Sequence, residues 1–228
     1  MEQTKIPLKI YEPLLTAFDA QIDRLCLKRD AFLNHIMKTE VRRLRDELKG
    51  KRQSFAARRY ISGELKRLGT RTVNVVVDKA VAEMLNEIVE SSNMVRDAFA
   101  NRLLMFLRAS PKLLKYLELP LSTSSLNFNC GLDDFSTSPL AAMEELFGDP
   151  LYYLRAASEE RFDEGLYLLE LPKKFSGFSC YLPDASVPGT AEQKEAEELS
   201  REMLNELEEM ESLAFDVPSL AATKGVTK

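Results

Sequence analysis

The sequence predicts a mainly α fold in which a two-stranded antiparallel ribbon is closed on one side by four helices. Two observations indicate this fold: an internal repeat at an offset of 67 residues, and a change of apolar spacing inside each copy. A sharp division of charge along the chain bears on its partners. Beyond the repeats we expect a small α/β or irregular acidic C-terminal extension that ends in a long helix.

The repeat runs without a gap over residues 5–37 and 72–104. Within it, Arg29-Asp30-Ala31-Phe32-Leu33-Asn34 aligns with Arg96-Asp97-Ala98-Phe99-Ala100-Asn101, and this segment holds the five identities of the whole stretch. At least ten of the other aligned positions keep an apolar residue in both copies. An alignment that preserves periodicity as well as identity indicates a duplicated structural unit. We assign copy one to residues 5–48 and copy two to residues 72–115.

Each copy begins with a short strand. In copy one Ile6, Leu8 and Ile10 alternate with other residues, and copy two has the same alternation at Val73, Val75 and Val77. A period of two is typical of a strand with one buried face.

Two helices follow each strand. The apolar spacing lengthens to four, four and three, which predicts an amphipathic helix. The positions are Leu14, Phe18, Ile22 and Leu25 in copy one, and Val81, Leu85 and Val89 with Ile88 in copy two. After a break at residues 25–28 or 91–94, a second helix is predicted from Phe32 to Leu48 and from Phe99 to Leu107, with Pro111 near its end.

A strand of about six residues is not stable alone, because its backbone groups and its apolar face both need a partner. The simplest arrangement pairs the two strands antiparallel and places the four helices over the apolar face. The polar face of the ribbon then points outward.

The strand–helix–helix order and the Arg-Asp-Ala-Phe opening of the second helix resemble the ribbon-helix-helix family of DNA-binding proteins, of the Arc and MetJ type. The resemblance covers residues 5–48 and 72–115, about two fifths of the chain. Members of that family usually dimerise to form the ribbon. Here both halves lie in one chain, so the resemblance implies a tandem ribbon-helix-helix pseudo-dimer within residues 1–119.

By this resemblance, the side chains that contact DNA bases lie on the outward face of the ribbon. A two-stranded ribbon fits the major groove, where each base pair presents a distinct pattern of donors and acceptors. Lysine donates to guanine, asparagine pairs with adenine, and threonine or valine contacts thymine methyl groups. Because the two strands differ, an asymmetric operator is expected; the alternative is an outward face without a ligand. The positions are Lys5, Pro7 and Lys9 in copy one, and Thr72, Asn74 and Val76 in copy two.

The resemblance also implies phosphate contacts at the start of each second helix, where free backbone N–H groups and the helix dipole attract anions. The residues are Lys28 and Arg29 in copy one, and Asn93 and Arg96 in copy two. The chain departs from the family pattern in two respects. Pro7 cannot donate a ladder hydrogen bond, so imperfect pairing of copy one is expected. The usual capping Ser or Thr is missing, and Asn93 is the candidate cap in copy two.

The connector between the copies, residues 49–71, is strongly basic. It holds eight Lys or Arg residues and one acidic residue, Glu64. Phe55, Ile61, Leu65 and Leu68 predict a helix that ends at Gly69. Two interpretations remain open: an arm that contacts DNA phosphates through residues such as Arg58 and Arg59, and an ordinary solvated connector.

The charge of the chain changes after residue 119. Residues 1–119 carry 23 Lys and Arg against 15 Asp and Glu, a formal charge of +8. Residues 120–228 carry 8 against 21, a formal charge of −13, and we assign them to a separate acidic region. Such a division indicates a basic module for an anionic partner, attached to an acidic segment with another purpose.

Within the acidic region, residues 120–138 are rich in Ser, Thr and Asn and predict a linker. Residues 139–157 predict a helix that is broken at Gly148–Pro150. Gly165–Pro172 and Phe175–Pro183 are expected to form short strands or an irregular extension. Residues 190–215 predict one acidic amphipathic helix, followed by a disordered tail at residues 216–228. Three roles for this helix stay open: packing on the body of the protein, binding itself or a partner, and covering the basic half.

The residue types argue against catalysis. There is one histidine, His35, and the nine glycines form no phosphate-binding loop. Cys26, Cys130 and Cys180 are too far apart in sequence for zinc-ligand spacing and suit a reducing cytoplasm. We therefore expect no enzyme activity, no metal and no cofactor. The sequence has no run of about 18 apolar residues, so it predicts no membrane-spanning helix.

The sequence thus predicts a cytoplasmic protein, bacterial or from a mobile element, that binds specific double-stranded DNA sequences as a transcriptional regulator. Self-association on DNA is a further option. The alternative is an antitoxin-like protein, or an accessory factor in plasmid maintenance or transfer, whose acidic C-terminal region binds a protein partner.

Overall fold

The computed structural model describes residues 2–122, 137, 139 and 149–215. They form a mainly helical structure with a two-stranded antiparallel sheet, which confirms the predicted fold class at that level. The chain divides into two compact units, residues 1–183 and residues 184–228. The predicted linker at 120–138, the first part of the predicted helix at 139–157, and the predicted disordered tail at 216–228 lie almost entirely outside the described residues.

In the first unit, each strand leads directly into a helix, as the repeat predicts. The elements are, in chain order, β1 (Gln3–Tyr11), α1 (Glu12–Arg24), α2 (Arg29–Glu47), α3 (Phe55–Arg67), β2 (Thr70–Asp78), α4 (Lys79–Ser92), α5 (Arg96–Leu107), α6 (Pro111–Tyr116), α7 (Tyr152–Phe162) and a 3₁₀ helix at Lys173–Phe178. The connector helix α3 begins at a side-chain cap, since the Ser54 hydroxyl accepts a hydrogen bond from the Ala57 N–H at 3.0 Å.

The two strands pair antiparallel in a register that treats the copies as equivalents. Pro7 lies opposite Asn74, its own counterpart at the repeat offset of 67. In the repeat, Lys5 corresponds to Thr72 and Lys9 to Val76. In the ribbon, Lys5 lies opposite Val76 and Lys9 lies opposite Thr72, so the two pairs are equivalent by exchange of the copies. This reciprocity is the relationship that a two-fold axis produces between identical subunits. The centre of the ribbon is therefore the Pro7–Asn74 pair.

Pro7 does not disturb the ladder, contrary to the expectation of imperfect pairing. In an antiparallel pair the N–H and C=O of one residue point to the same side of the strand. The Pro7 carbonyl points away from β2, because it accepts a hydrogen bond from Arg96 at 2.8 Å. The missing N–H is thus on the open edge of β1, where proline is tolerated.

The second helix of each copy packs on the strand of the other copy. Helix α2 packs against β2 and α4, while α5 packs against β1 and α1. The inner face of the ribbon and the helices share one apolar core. Ile6, Leu8, Ile10, Val75 and Val77 supply the buried face of the ribbon. Because the two copies interleave, neither could bury its apolar face without the other.

The turns between the first and second helices are also equivalent. Cys26 has a φ of 56° and Asn93, its counterpart, a φ of 57°, so both residues are left-handed. Asparagine tolerates this conformation better than cysteine. Asn93 therefore ends α4, and its prediction as the N-terminal cap of α5 is wrong, since that position belongs to Val95. The predicted absence of a capping Ser or Thr is confirmed: neither α2 nor α5 has a side-chain cap.

Residues 149–183 pack on the helices of the repeats and contain no strand. Of the two alternatives for Gly165–Pro172 and Phe175–Pro183, the short strands are therefore wrong, and the irregular extension is the one observed. The backbone groups of this segment bond to one another in turns or to side chains of the repeat helices, and not to a neighbouring strand. The Leu166 carbonyl accepts a hydrogen bond from Arg102 at 2.6 Å, and the Tyr167 N–H donates to Glu47 at 2.7 Å. Irregular backbone can be buried here because these side chains satisfy it.

The second unit contains a 3₁₀ helix at Asp184–Ser186 and the helix α8, Ala191–Phe215, where the sequence predicts an acidic helix over 190–215. The exposed side chains of α8 include Leu199, Met203 and Leu204. None of the helices in the described ranges is both long enough and apolar enough to cross a membrane.

Candidate nucleic-acid interface

The outward face of the ribbon carries the six predicted base-contacting side chains. Five of them are exposed and Val76 is partly exposed. The register places the two lysines at opposite ends of this group, one on each side of Asn74, and none of the six residues is acidic. Asp78, which lies opposite Gln3 beyond them, is bound by Lys38. The exposed residues are Lys5, Pro7, Lys9, Thr72 and Asn74. The face is therefore positively charged, with hydrogen-bond donors at its ends and its centre.

The start of α5 holds the free edge of β1. The Lys9 N–H donates to the Asp97 carboxylate at 3.1 Å, and the Lys9 carbonyl accepts from the Asn101 amide at 2.8 Å. Asn101 also accepts a hydrogen bond from the Tyr11 N–H at 2.8 Å. Unpaired strand edges otherwise attract other chains. These contacts satisfy the edge at Lys9 and Tyr11 and fix the outward face relative to the beginning of α5.

Asn34, the counterpart of Asn101, makes the reciprocal contact in the other half. It accepts a hydrogen bond from the Asp78 N–H at 2.7 Å, and Asp78 is the counterpart of Tyr11. Asn34 and Lys38 also hydrogen-bond to the Asp78 carboxylate, at 3.0 and 2.8 Å, and these contacts lower the pKa of Asp78. Sequence reasoning assigned no role to either asparagine, although their identity in both copies was the available signal.

The predicted phosphate contacts at the starts of α2 and α5 differ between the copies. Lys28 is exposed, whereas Arg29 is partly buried and lies 3.5 Å from Asp19 and 3.3 Å from Asp30. In copy two, Arg96 donates to the Pro7 carbonyl. Lys28 can bind a phosphate without losing a contact to a described residue. Arg29 and Arg96 would each have to give up a contact within the protein in order to bind one.

The side chains of Asn93 and Arg58, both predicted to contact phosphate, hydrogen-bond to each other. Asn93 is only 4% exposed, and its side-chain oxygen accepts a hydrogen bond from Arg58 at 2.8 Å. The Asn93 amide donates to the Gln53 carbonyl at 3.0 Å. Burial and these bonds remove Asn93 from the candidate phosphate contacts. Arg59, the next residue of α3, is exposed.

A buried polar network fixes residues 149–183 to α2. The Arg155 guanidinium lies 3.3 Å from each carboxylate oxygen of Glu40, and the Tyr167 hydroxyl donates to Glu40 at 2.6 Å. Arg155 also contacts Asp149 at 3.0 Å. Burial raises the pKa of Tyr167 well above its usual value. Sequence reasoning missed this network; the available signal was Glu40, a charged residue between Met37, Val41 and Leu44 on the apolar face of α2.

Glu47, two turns further along α2, is held between backbone groups. Its carboxylate accepts hydrogen bonds from the N–H groups of Tyr167 and Leu168, at 2.7 and 3.2 Å. Burial nevertheless raises its pKa to about 7. Arg102, on α5, is also buried, and its guanidinium donates to the carbonyls of Leu166 and Leu169 in the same segment. Burial lowers the pKa of that guanidinium.

In the part of the chain that the structure describes, no group of three or more His, Cys, Asp or Glu side chains is placed to hold a metal ion. Comparisons with protein-family models, with curated proteins and with solved structures find no match to this chain.

Proposed function

We propose that this protein binds specific sequences of double-stranded DNA through the outward face of its ribbon, and that it acts as a transcriptional regulator. In this proposal the two repeats form a tandem ribbon-helix-helix pseudo-dimer. The observation that supports it most is the register of β1 and β2, in which equivalent residues of the two copies face each other across the Pro7–Asn74 pair.

The exposed chemistry of the ribbon suits the major groove. Lys5 and Lys9 can donate to guanine acceptors, and Asn74 can form a paired hydrogen bond with adenine. Both lysines come from copy one and Asn74 comes from copy two. If the protein bound the same DNA site in the opposite orientation, these side chains would therefore face different bases. We therefore propose an asymmetric operator.

Phosphate contacts would orient the ribbon without reading sequence. Lys28 and the uncapped N–H groups at the starts of α2 and α5 are available for this purpose. Arg29 and Arg96 would join them by leaving Asp19 and the Pro7 carbonyl.

The test is to incubate the full-length protein with a library of randomised duplexes and to sequence the bound fraction over several rounds. Enrichment of one non-palindromic motif is expected. The absence of any enriched motif, at salt concentrations where the protein binds duplex DNA, would contradict sequence-specific binding.

A second candidate function, binding of a protein partner, is favoured by α8. Its exposed Leu199, Met203 and Leu204 lie among acidic residues, as on a helix that docks in an apolar groove with a basic rim. This would suit an antitoxin-like or plasmid-accessory protein. Substituting Leu199 and Met203 by Ser in the full chain should then abolish capture of a protein encoded next to this one, with DNA binding unchanged.

A further inference from the structure

One face of the connector helix α3 is turned to solvent along its whole length. Phe55, Arg59, Gly63 and Lys66 follow one another at intervals of four, four and three residues, which places them on one stripe. All four are exposed, and Phe55 is 76% exposed. On the opposite side Ala57, Ile61 and Leu65 are buried. We call the four exposed residues the α3 stripe.

Gly63 stands in the middle of this stripe without a structural reason in the described chain. Apart from its chain neighbours and the backbone of α3 itself, none of the described heavy atoms lies within 4 Å of the point where a Cβ would stand. Glycine destabilises the interior of a helix relative to alanine, so the fold alone would favour alanine here. A residue without a side chain lets an external surface approach the helix backbone closely. Gly63 thus indicates such an approach.

The charge of the connector indicates which kind of surface approaches. Its one acidic residue, Glu64, is turned inward, since its side chain is only 17% exposed and bonds to Arg67 and Ser176. Arg59 and Lys66 have no ion-pair partner among the described residues. The α3 stripe therefore presents two cations, a bare backbone and an aromatic ring, and no carboxylate. That combination suits a polyanion with a regular backbone.

The position of α3 relates the stripe to the ribbon. The helix ends at Arg67, and β2 begins at Thr70, which pairs with Tyr11 at the end of β1. Gly69, between them, accepts a hydrogen bond from the Glu12 N–H at 3.4 Å. The helix is about 20 Å long at 1.5 Å per residue, and its last turn lies at one end of the ribbon. The connector occurs once in the chain, so the repeat provides no counterpart at the other end.

We propose that the α3 stripe binds the phosphate backbone of duplex DNA on one side of the ribbon, as a contact that does not depend on sequence. The proposal rests on the proposed function of the ribbon and extends it. Arg59 and Lys66 neutralise phosphates, Gly63 permits close approach, and Phe55 contacts the sugar edge. The DNA segment covered by the protein then extends further on the α3 side than on the other.

The first test is the salt dependence of binding to a labelled duplex of random sequence, measured with the full-length protein. The double variant Arg59→Ala/Lys66→Ala should lower the slope of log affinity against log salt by about 1.8, because each neutralised phosphate contributes about 0.9. The control, Lys112→Ala/Lys115→Ala, removes the same charge from exposed positions of α6 and should change the slope much less. Equal slopes for both double variants would overturn the proposal.

The second test uses the size of the side chain at position 63. Gly63→Ala and Gly63→Gln should both raise the thermal midpoint, by about 2–4 °C, because both favour the helix. Affinity for the duplex should fall with Ala and fall further with Gln. If both variants bind DNA as the wild type does, a partner other than DNA or no partner occupies the stripe, and the proposal is overturned.

The two proposals fail in different ways. If the wild-type protein does not bind duplex DNA, the proposed function fails, and the α3 proposal fails with it. If the wild type binds, and substitutions at Lys9 and Asn74 relax its specificity while those at Arg59, Lys66 and Gly63 have no effect, only the α3 proposal fails.

Discussion

The side-chain oxygen of Asn101 accepts a hydrogen bond from the backbone N–H of Tyr11 at 2.8 Å, where β1 ends and α1 begins. The counterparts of these two residues, Asn34 and Asp78, are joined by the same bond at 2.7 Å. An asparagine on the second helix of one copy thus secures the strand end of the other copy. This contact explains why the short shared motif ends in asparagine in both repeats.

Replacing Asn101 with Ala should lower the free energy of unfolding by about 1–3 kcal/mol, because the Tyr11 N–H and the Lys9 carbonyl lose their partner. The effect is measured by urea denaturation. Asn34→Ala should give a similar loss, and substituting Asn86, an exposed asparagine of α4, should give almost none. A neutral result at both Asn101 and Asn34 would contradict the proposed role of the pair.

Replacing Cys26 with Gly should stabilise the protein by about 0.5–1 kcal/mol, because glycine adopts a positive φ without the strain that a Cβ introduces. The measurement is the thermal midpoint under reducing conditions. Asn93→Gly is the matched control at the equivalent turn. It should destabilise the protein, because it removes the bonds of the Asn93 side chain to Gln53 and Arg58.

Replacing Asn74 or Lys9 with Ala should cost about 1–3 kcal/mol of binding free energy at the selected operator and should relax specificity at one base position each. Random-sequence DNA should be bound almost as before by Asn74→Ala, because that variant loses no charge. Titration with the operator and with single-base variants of it provides the measurement. Unchanged specificity in both variants would contradict the ribbon as the reading surface.

The stability of the protein should fall as pH rises from about 4.5 to 7, because of Glu47. Its pKa is about 7 in the folded chain, above the ordinary value of 4.5. In that window the unfolded chain releases the proton and the folded chain retains it, so a higher pH favours unfolding. Partial exposure limits the effect to about 2 kcal/mol. Glu47→Gln should remove this slope in urea denaturation, while Glu159→Gln, at an exposed position of α7, should keep it.

Replacing Gly177 with Ala should destabilise the protein by about 1–3 kcal/mol, since a Cβ there would stand 2.9 Å from the backbone nitrogen of Leu65. Gly177 contacts the buried face of α3, whereas Gly63 lies on the exposed face of that helix. Gly63→Ala should therefore stabilise the protein. Differential scanning calorimetry of the two variants compares the covered and the open faces of α3 directly. Loss of stability in both would show that the exposed face of α3 also packs against something.

Within the two repeats, periodicity and the alignment were sufficient to predict the strands, the helices and the outward face of the ribbon, because each depends on spacing within a short window. Lys9 and Asn74, for example, follow from the alternation alone. The contacts of Asn34 and Asn101 could not be predicted, because they join residues that are far apart in sequence. The same holds for Arg102, whose partners, the carbonyls of residues 166 and 169, carry no sequence signal.

The extension after residue 120 was the least predictable part. Its apolar residues, such as Leu166, Leu169 and Phe178, suggest strands when only local pattern is considered. In the structure, Glu40, Glu47 and Arg102 on the repeats bond to several of its backbone and polar groups. A fragment that ends at residue 119 would leave these three side chains without their partners, so the full chain is the proper material for binding experiments.

The reciprocal register around Pro7 and Asn74 joins two strands that belong to one polypeptide. In an assembly of identical subunits, every substitution alters both strands at once, and the assembly forms only above some concentration. Here a substitution in one strand leaves the other as it was, and the pairing of β1 with β2 does not depend on dilution. The two strands of the proposed DNA-reading surface can therefore diverge by single independent steps, each of which changes the side chain at one position of that surface only.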